Sequence, residues 1–130
     1  MEWRPIGNAG EPYPKWVREL RKASGAYAIR RRGLLFTTVL YVGESHTGAL
    51  YKTLTRHFAR WNRGKKWWRG AYRPAQSDPG HTYNRGDVEV AIFVGTKAEA
   101  LAKQAEWIDE LQPRDNLVDG DGRELEEAPF

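Results

Sequence analysis

Two tyrosine triplets, Gly25-Ala26-Tyr27 and Tyr41-Val42-Gly43, lie fourteen residues apart, each on a stretch with strand character. Residues 25–31 (GAYAIRR) and 35–42 (LFTTVLYV) carry the β-branched and aromatic residues that favour strands. Gly33 between them marks a hairpin, so the two strands should pair antiparallel. Tyr27 falls near the start of the first strand and Tyr41 near the end of the second. The hairpin therefore brings both phenols to one end of a sheet. Buried tyrosines more often simply pack and find one hydroxyl partner. A polar loop and a basic helix directly after the second triplet tip the reading towards a site.

Downstream, Leu50, Leu54, Phe58 and Trp61 recur at helical spacing, giving a first long helix over residues 50–61. Thr53, His57 and Arg60 lie along one edge of that stripe, with Arg56 a little further round. Val88 to Val94 alternates as a third strand. Thr96-Lys97-Ala98-Glu99 reads as a capping box opening a second long helix, whose buried stripe should be Leu101, Ala105, Ile108 and Leu111. Pro113 ends it. Before the hairpin, residues 1–13 read as irregular, and Pro14 opens a short helix to about Ala23. The expected fold is a single α/β (α+β) domain with a small, mainly antiparallel three-stranded sheet flanked by helices. Residues 1–24 form an N-terminal extension, 25–116 the domain and 117–130 an acidic tail.

This order of elements, closed by Pro113-Arg114-Asp115-Asn116, resembles the GIY-YIG nuclease domain over residues 25–116. The resemblance implies metal-dependent phosphodiester cleavage of DNA, with Mg2+ or Mn2+ as cofactor. Tyr27 and Tyr41 would position or activate the nucleophile, and His57 falls on the family's histidine. The family's arginine, which takes developing charge, aligns with Thr53, which cannot supply a cation; Arg56 or Arg60 would have to replace it. The family's metal-binding glutamate aligns with Gln104. On a helical wheel Gln104 lies about 40° from Ile108 and faces inward, whereas Glu106, about 200° from Gln104, faces solvent. A glutamine carbonyl lacks the charge of the usual hard-cation ligands, so Glu44, just after the second tyrosine triplet, is the other candidate ligand.

Charge distribution points the same way. Of the 130 residues 29% are charged, and the formal net charge is only +4. Residues 52–73 nevertheless hold Lys52, Arg56, Arg60, Arg63, Lys65, Lys66, Arg69 and Arg73 with no acid, interleaved with Trp61, Trp67, Trp68 and Tyr72. Cations with aromatics suit phosphate contacts plus base stacking. Lys52, Arg60, Arg63, Lys65, Lys66 and Arg69 are the candidate DNA contacts. The absence of cysteine excludes disulfides, thiolate metal sites and cysteine nucleophiles. Without a membrane span or a signal-peptide opening, a cytoplasmic protein is expected.

Two further patterns carry little. Residues 43–48 (GESHTG) miss a nucleophile elbow by placing Thr47 where its second glycine belongs. Asp119-Gly120-Asp121-Gly122 lacks the ligand series of a calcium loop and reads as a turn. A DNA endonuclease, or a degenerate relative of one, is the leading expectation. The competing one is a non-catalytic DNA-binding or protein-interaction module on the same scaffold.

Overall fold

In the computed structural model, residues 1–33, 37–59, 67–68, 71–72 and 81–116 are described. The elements in chain order are β1 (Arg4–Pro5), α1 (Lys15–Arg18), β2 (Gly25–Arg31), β3 (Val39–Ser45) and α2 (Leu50–Thr55), which tightens into a 3-10 turn at Arg56–Phe58. There follow a two-residue hairpin, β4 (Trp67–Trp68) with β5 (Ala71–Tyr72), then β6 (Val88–Val94) and α3 (Lys97–Leu111). The main sheet is fully antiparallel in the order β1-β6-β2-β3. It is the expected small α+β fold with a fourth, edge strand. That strand comes from the amino-terminal segment expected to be irregular, where Arg4 and Pro5 pair with Val90 and Glu89.

Alternation along β2 divides the protein into two layers. Tyr27 and Ile29 face a core built with Ile6, Val17, Leu20, Leu50 and Leu54. Ala26 and Ala28 face the opposite side, where Val42, Ala91 and Trp107 of α3 complete a second cluster. The three alanines clear room for the indole. This is why the buried stripe of α3 is Ala100, Gln104 and Trp107, one position round from the stripe expected of Leu101 and Ala105. Leu101 is exposed. The capping box forms as expected: the Thr96 hydroxyl accepts from Glu99 N–H at 3.2 Å, and the Glu99 carboxylate accepts from Thr96 N–H at 2.8 Å.

The amino-terminal residues belong to the same core. Arg85, buried, donates to the Glu11 and Ile6 carbonyls, both at 2.7 Å, and its guanidinium stacks 3.9 Å from the Tyr13 ring centroid. Burying a guanidinium is tolerable only because carbonyls receive its protons. Among the described residues, no helix is long and apolar enough to cross a membrane.

Both motif glycines have a steric reason. A side chain at Gly25 would collide with the Phe93 carbonyl of β6, and one at Gly43 would collide with the Tyr27 ring directly across the ladder. Strand β3 therefore runs through Gly43 to Ser45, beyond the expected end at residue 42, because Tyr27, Ala26 and Gly25 supply partners for 43, 44 and 45. At its other end β3 starts at Val39; residues 34–36 lie outside the described residues.

The Pro-x-x-Asn ending acts as a clamp on that strand. Gln112 adopts a left-handed conformation (φ 50°) that ends α3, and Arg114–Asn116 forms a 3-10 turn. This brings the Asn116 amide to the open edge of β3. Its Oδ1 accepts from Val42 N–H at 2.8 Å and its Nδ2 donates to the Val42 carbonyl at 2.8 Å. One side chain thus satisfies both backbone groups of a buried residue that lacks a further strand partner. Replacing Asn116 with alanine should cost about 2–4 kcal/mol, since each buried backbone group left unpaired costs about 1–3 kcal/mol. Urea denaturation checks this, and Asn116→Asp should be comparably harmful because it removes the donor to the Val42 carbonyl.

Candidate functional site

The tyrosine face of the sheet holds a closed cluster of aromatic and polar groups. Tyr27 from β2 is 1% exposed, and His57, from the 3-10 turn that follows α2, is fully buried. Their hydroxyl and Nε2 are 2.8 Å apart. The other ring nitrogen, Nδ1, is 2.6 Å from the His81 carbonyl. A carbonyl only accepts, so Nδ1 carries the proton and the Nε2 lone pair accepts from the Tyr27 hydroxyl. Position 57 comes to Tyr27 because helix α2, buried through Leu50 and Leu54, gives way to the tighter 3-10 spacing one residue before the histidine.

Tyr41 from β3 closes the cluster from the other side. Its ring lies 4.7 Å from His57, 5.3 Å from His81 and 6.2 Å from Tyr27, centroid to centroid. Tyr83 stacks on His57 at 6.0 Å with 29° between planes, and its backbone N–H donates to the His57 carbonyl at 2.7 Å. Its hydroxyl donates to Asp115 Oδ2 at 2.6 Å, while Arg114 binds both carboxylate oxygens at 2.8 and 3.0 Å. Sequence reasoning missed Tyr83 and Asp115. Asp115 sits inside the Pro-x-x-Asn ending that had drawn notice only for its Asn, and Tyr83 sits on the long connection, with no periodicity to mark it.

Burial sets the protonation states. It pushes the His57 pKa down to about 4, against the opposing help of the His81 carbonyl, so the ring is neutral at pH 7. Burial pushes Tyr41 up to about 12, so Tyr41 is a hydrogen-bond donor and not a base. Tyr83 is raised first by burial and then by its bond to Asp115. The Arg114 hydrogen bonds, and secondarily the Tyr83 hydroxyl, hold Asp115 below the usual carboxylate range, and it is ionised.

Of the expected residues, Tyr27, Tyr41 and His57 converge. Where an open pocket was expected, Tyr27 and His57 are buried and Tyr41 is half-buried. Gln104 is buried as expected, but α3 packs on the alanine face while Tyr27 occupies the other, so Gln104 does not line the cluster. Glu44 opposes Ala26 in the ladder and therefore shares the alanine face. It is buried with both carboxylate oxygens 3.1 Å from His46 Nδ1. Arg56 is half-buried on the turn just before His57, Thr53 is half-buried on α2, and Lys52 is exposed there. Arg60, Arg63, Lys65, Lys66 and Arg69 lie outside the described residues.

A hard divalent cation does not fit the donors beside Tyr27. Among the described residues no three His, Cys, Asp or Glu side chains cluster to hold a metal. Asp115, the carboxylate that reaches this side, already serves Tyr83 and Arg114. What the arrangement can do is move a proton between a phenol and an oriented, neutral imidazole. No family model, curated protein or solved structure matches the chain.

The buried imidazole makes stability pH-dependent. Below about pH 6.5 the unfolded chain protonates His57 while the folded chain does not, so acid favours unfolding. Stability should be retained above 6.5 and fall as the pH drops towards 4, by about 3 kcal/mol in total from this group. Asp115 contributes in the same direction but only below the ordinary aspartate range. Urea midpoints measured across this window check the claim against His57→Gln, which should flatten the decline. In NMR, the His57 ring should keep its neutral-form shifts until the pH nears 4.

Proposed function

We propose that this is a nucleic-acid-binding domain of GIY-YIG type, acting in the cytoplasm on DNA, that keeps the proton-transfer pair of a nuclease without its charged partners. The observation that carries this reading is the chain Tyr27 Oη–His57 Nε2 with Nδ1 fixed on the His81 carbonyl. An acid–base pair whose imidazole is oriented by a third group is the arrangement that activates a nucleophile. Its position at the crossing of the two tyrosine triplets supports the family reading. The basic, tryptophan-rich stretch at 52–73 supports a polyanionic partner.

In this reading Tyr27 and His57 together take a proton from the attacking water, and Tyr41, protonated at neutral pH, donates to a phosphate oxygen. A base held near pKa 4 is weak, and a pair without solvent access cannot reach substrate. Cleavage therefore requires the Tyr83 side of the cluster to part. Admitting water lessens the desolvation of His57 and restores its basicity. With Thr53 where the family has arginine, one electrostatic group worth about 10²–10³ in rate is missing.

The second reading, a binding module without chemistry, is favoured by the same burial: a sealed Tyr–His pair can serve purely to hold helix α2 on the sheet. Cleavage of single-stranded, duplex and branched DNA, with and without Mg2+ or Mn2+, separates the two. We expect slow cleavage by the native chain. Tyr27→Phe should reduce it at least about 10²-fold, by analogy with loss of a general acid–base group, while DNA affinity changes little. Affinity without cleavage in any divalent cation, or cleavage indifferent to Tyr27→Phe, would establish the binding module instead.

A further inference from the structure

Beside the cluster, on the far side of Tyr83, lies a polar cleft of about 190 Å³. Arg31 at the end of β2, Arg114, Thr82, Asn84 and Asp87 share its lining with the Tyr83 ring. It is smaller than the roughly 300–1,000 Å³ of a site that encloses a whole small molecule. It suits one compact polar group of a longer ligand that continues across the surface.

We infer that this cleft is a phosphate subsite for a nucleic-acid strand, with Arg31 and Arg114 as its cations. The inference rests on the nucleic-acid reading above and names where the backbone leaves the tyrosine cluster. Among the described residues no hydrogen bond or ion pair engages the Arg31 guanidinium, and the residue is exposed and lines the cleft, so its donors are unspent. Arg114 uses its Nε and Nη2 protons on Asp115, which orients the group, and Nη1 keeps both of its protons for a ligand. Guanidinium groups held in place are the natural partners of phosphate oxygens.

One carboxylate, Asp87, opposes them from the same lining. With Asp115 on Arg114, two acids balance the two cations, so what the cleft offers a phosphodiester is the directed N–H groups of Arg31 and Arg114 and not an excess of positive charge. The Arg114–Asp115–Tyr83 chain couples the subsite to the cluster. The residue that binds the Arg114-held carboxylate also stacks on His57.

The test uses the full chain and an eight-residue oligothymidylate, followed by backbone amide NMR and by affinity at several salt concentrations. The amides of Thr82, Asn84 and Asp87 should shift on binding. Arg31→Ala should weaken binding about tenfold to a hundredfold, the worth of one charge-assisted bond, and shrink the salt slope by about 0.7. Asp87→Asn should tighten binding, a gain that a folding defect cannot imitate. If the oligonucleotide binds but those amides stay still, or Arg31→Ala and Asp87→Asn match the native chain, the subsite is wrong and the nucleic-acid reading survives. If the oligonucleotide fails to bind while inorganic pyrophosphate shifts the same amides in an Arg31-dependent manner, the anion subsite stands and the nucleic-acid reading falls. Silence of the cleft towards both probes overturns the inference.

Discussion

Tyr27 lies over Gly43 across the β2–β3 ladder, and the rest of the tyrosine face is arranged around that fit. Any side chain at 43 would lift the ring off the sheet. With the ring down, its hydroxyl ends where the α2 turn delivers His57, and His57 then fixes residues 81–83 through its ring Nδ1 on the His81 carbonyl and its main-chain carbonyl on Tyr83 N–H. A single close approach thus positions a strand, a helix turn and part of a long connection. Removing the hydroxyl alone would leave His57 Nε2 buried with its Tyr27 partner lost, so the pair binds the layers together whether or not it does chemistry.

The second constraint is the separation of the two faces. Small residues at Ala26, Ala28 and Ala91 accept the Trp107 indole, whereas Tyr27, Tyr41 and His57 fill the other side with polar aromatics. Gln104 and Glu44, the two residues considered for a metal, both belong to the alanine side. The residues that the resemblance would give to a hard cation and the phenol–imidazole pair are consequently on different faces of one sheet. A single substitution on α3 does not bring them together.

The hairpin, the third strand, the capping box and the convergence of Tyr27, Tyr41 and His57 were legible because each rests on local signals: alternation, turn residues, capping chemistry and spacing along one helix. The edge strand at Arg4–Pro5 was not, because two residues have no period and pair only where β6 offers an open edge. The rotation of the α3 stripe was hidden for another reason. Leu101 and Ala105 look more apolar than Gln104, yet the alanine-lined face selects the large Trp107, and the residues one and two turns before it follow inward. The face occupied by Glu44 depended on where β3 ends. Extending the strand through Gly43 settles that its side chain opposes Ala26 and not Tyr27.

Burial of the Tyr27–His57 pair and proton transfer by it would make opposite demands on the fold. Dry surroundings hold His57 neutral and Tyr41 protonated, the states that proton transfer needs, but they also weaken His57 as a base. The wall that could yield is the one at Tyr83. Tyr83 is half-buried and packs against the core cluster, but its hydroxyl and backbone N–H are held by polar bonds, to Asp115 and to the His57 carbonyl. Polar bonds can be exchanged for bonds to water or to a phosphate at small net cost, whereas separating packed aliphatic surface loses its burial outright. An anion drawing on Arg114 competes for the guanidinium that steadies Asp115, and through Asp115 it loosens Tyr83. An anion bound at that edge would therefore bear on the bonds that hold Tyr83 beside the tyrosine–histidine pair.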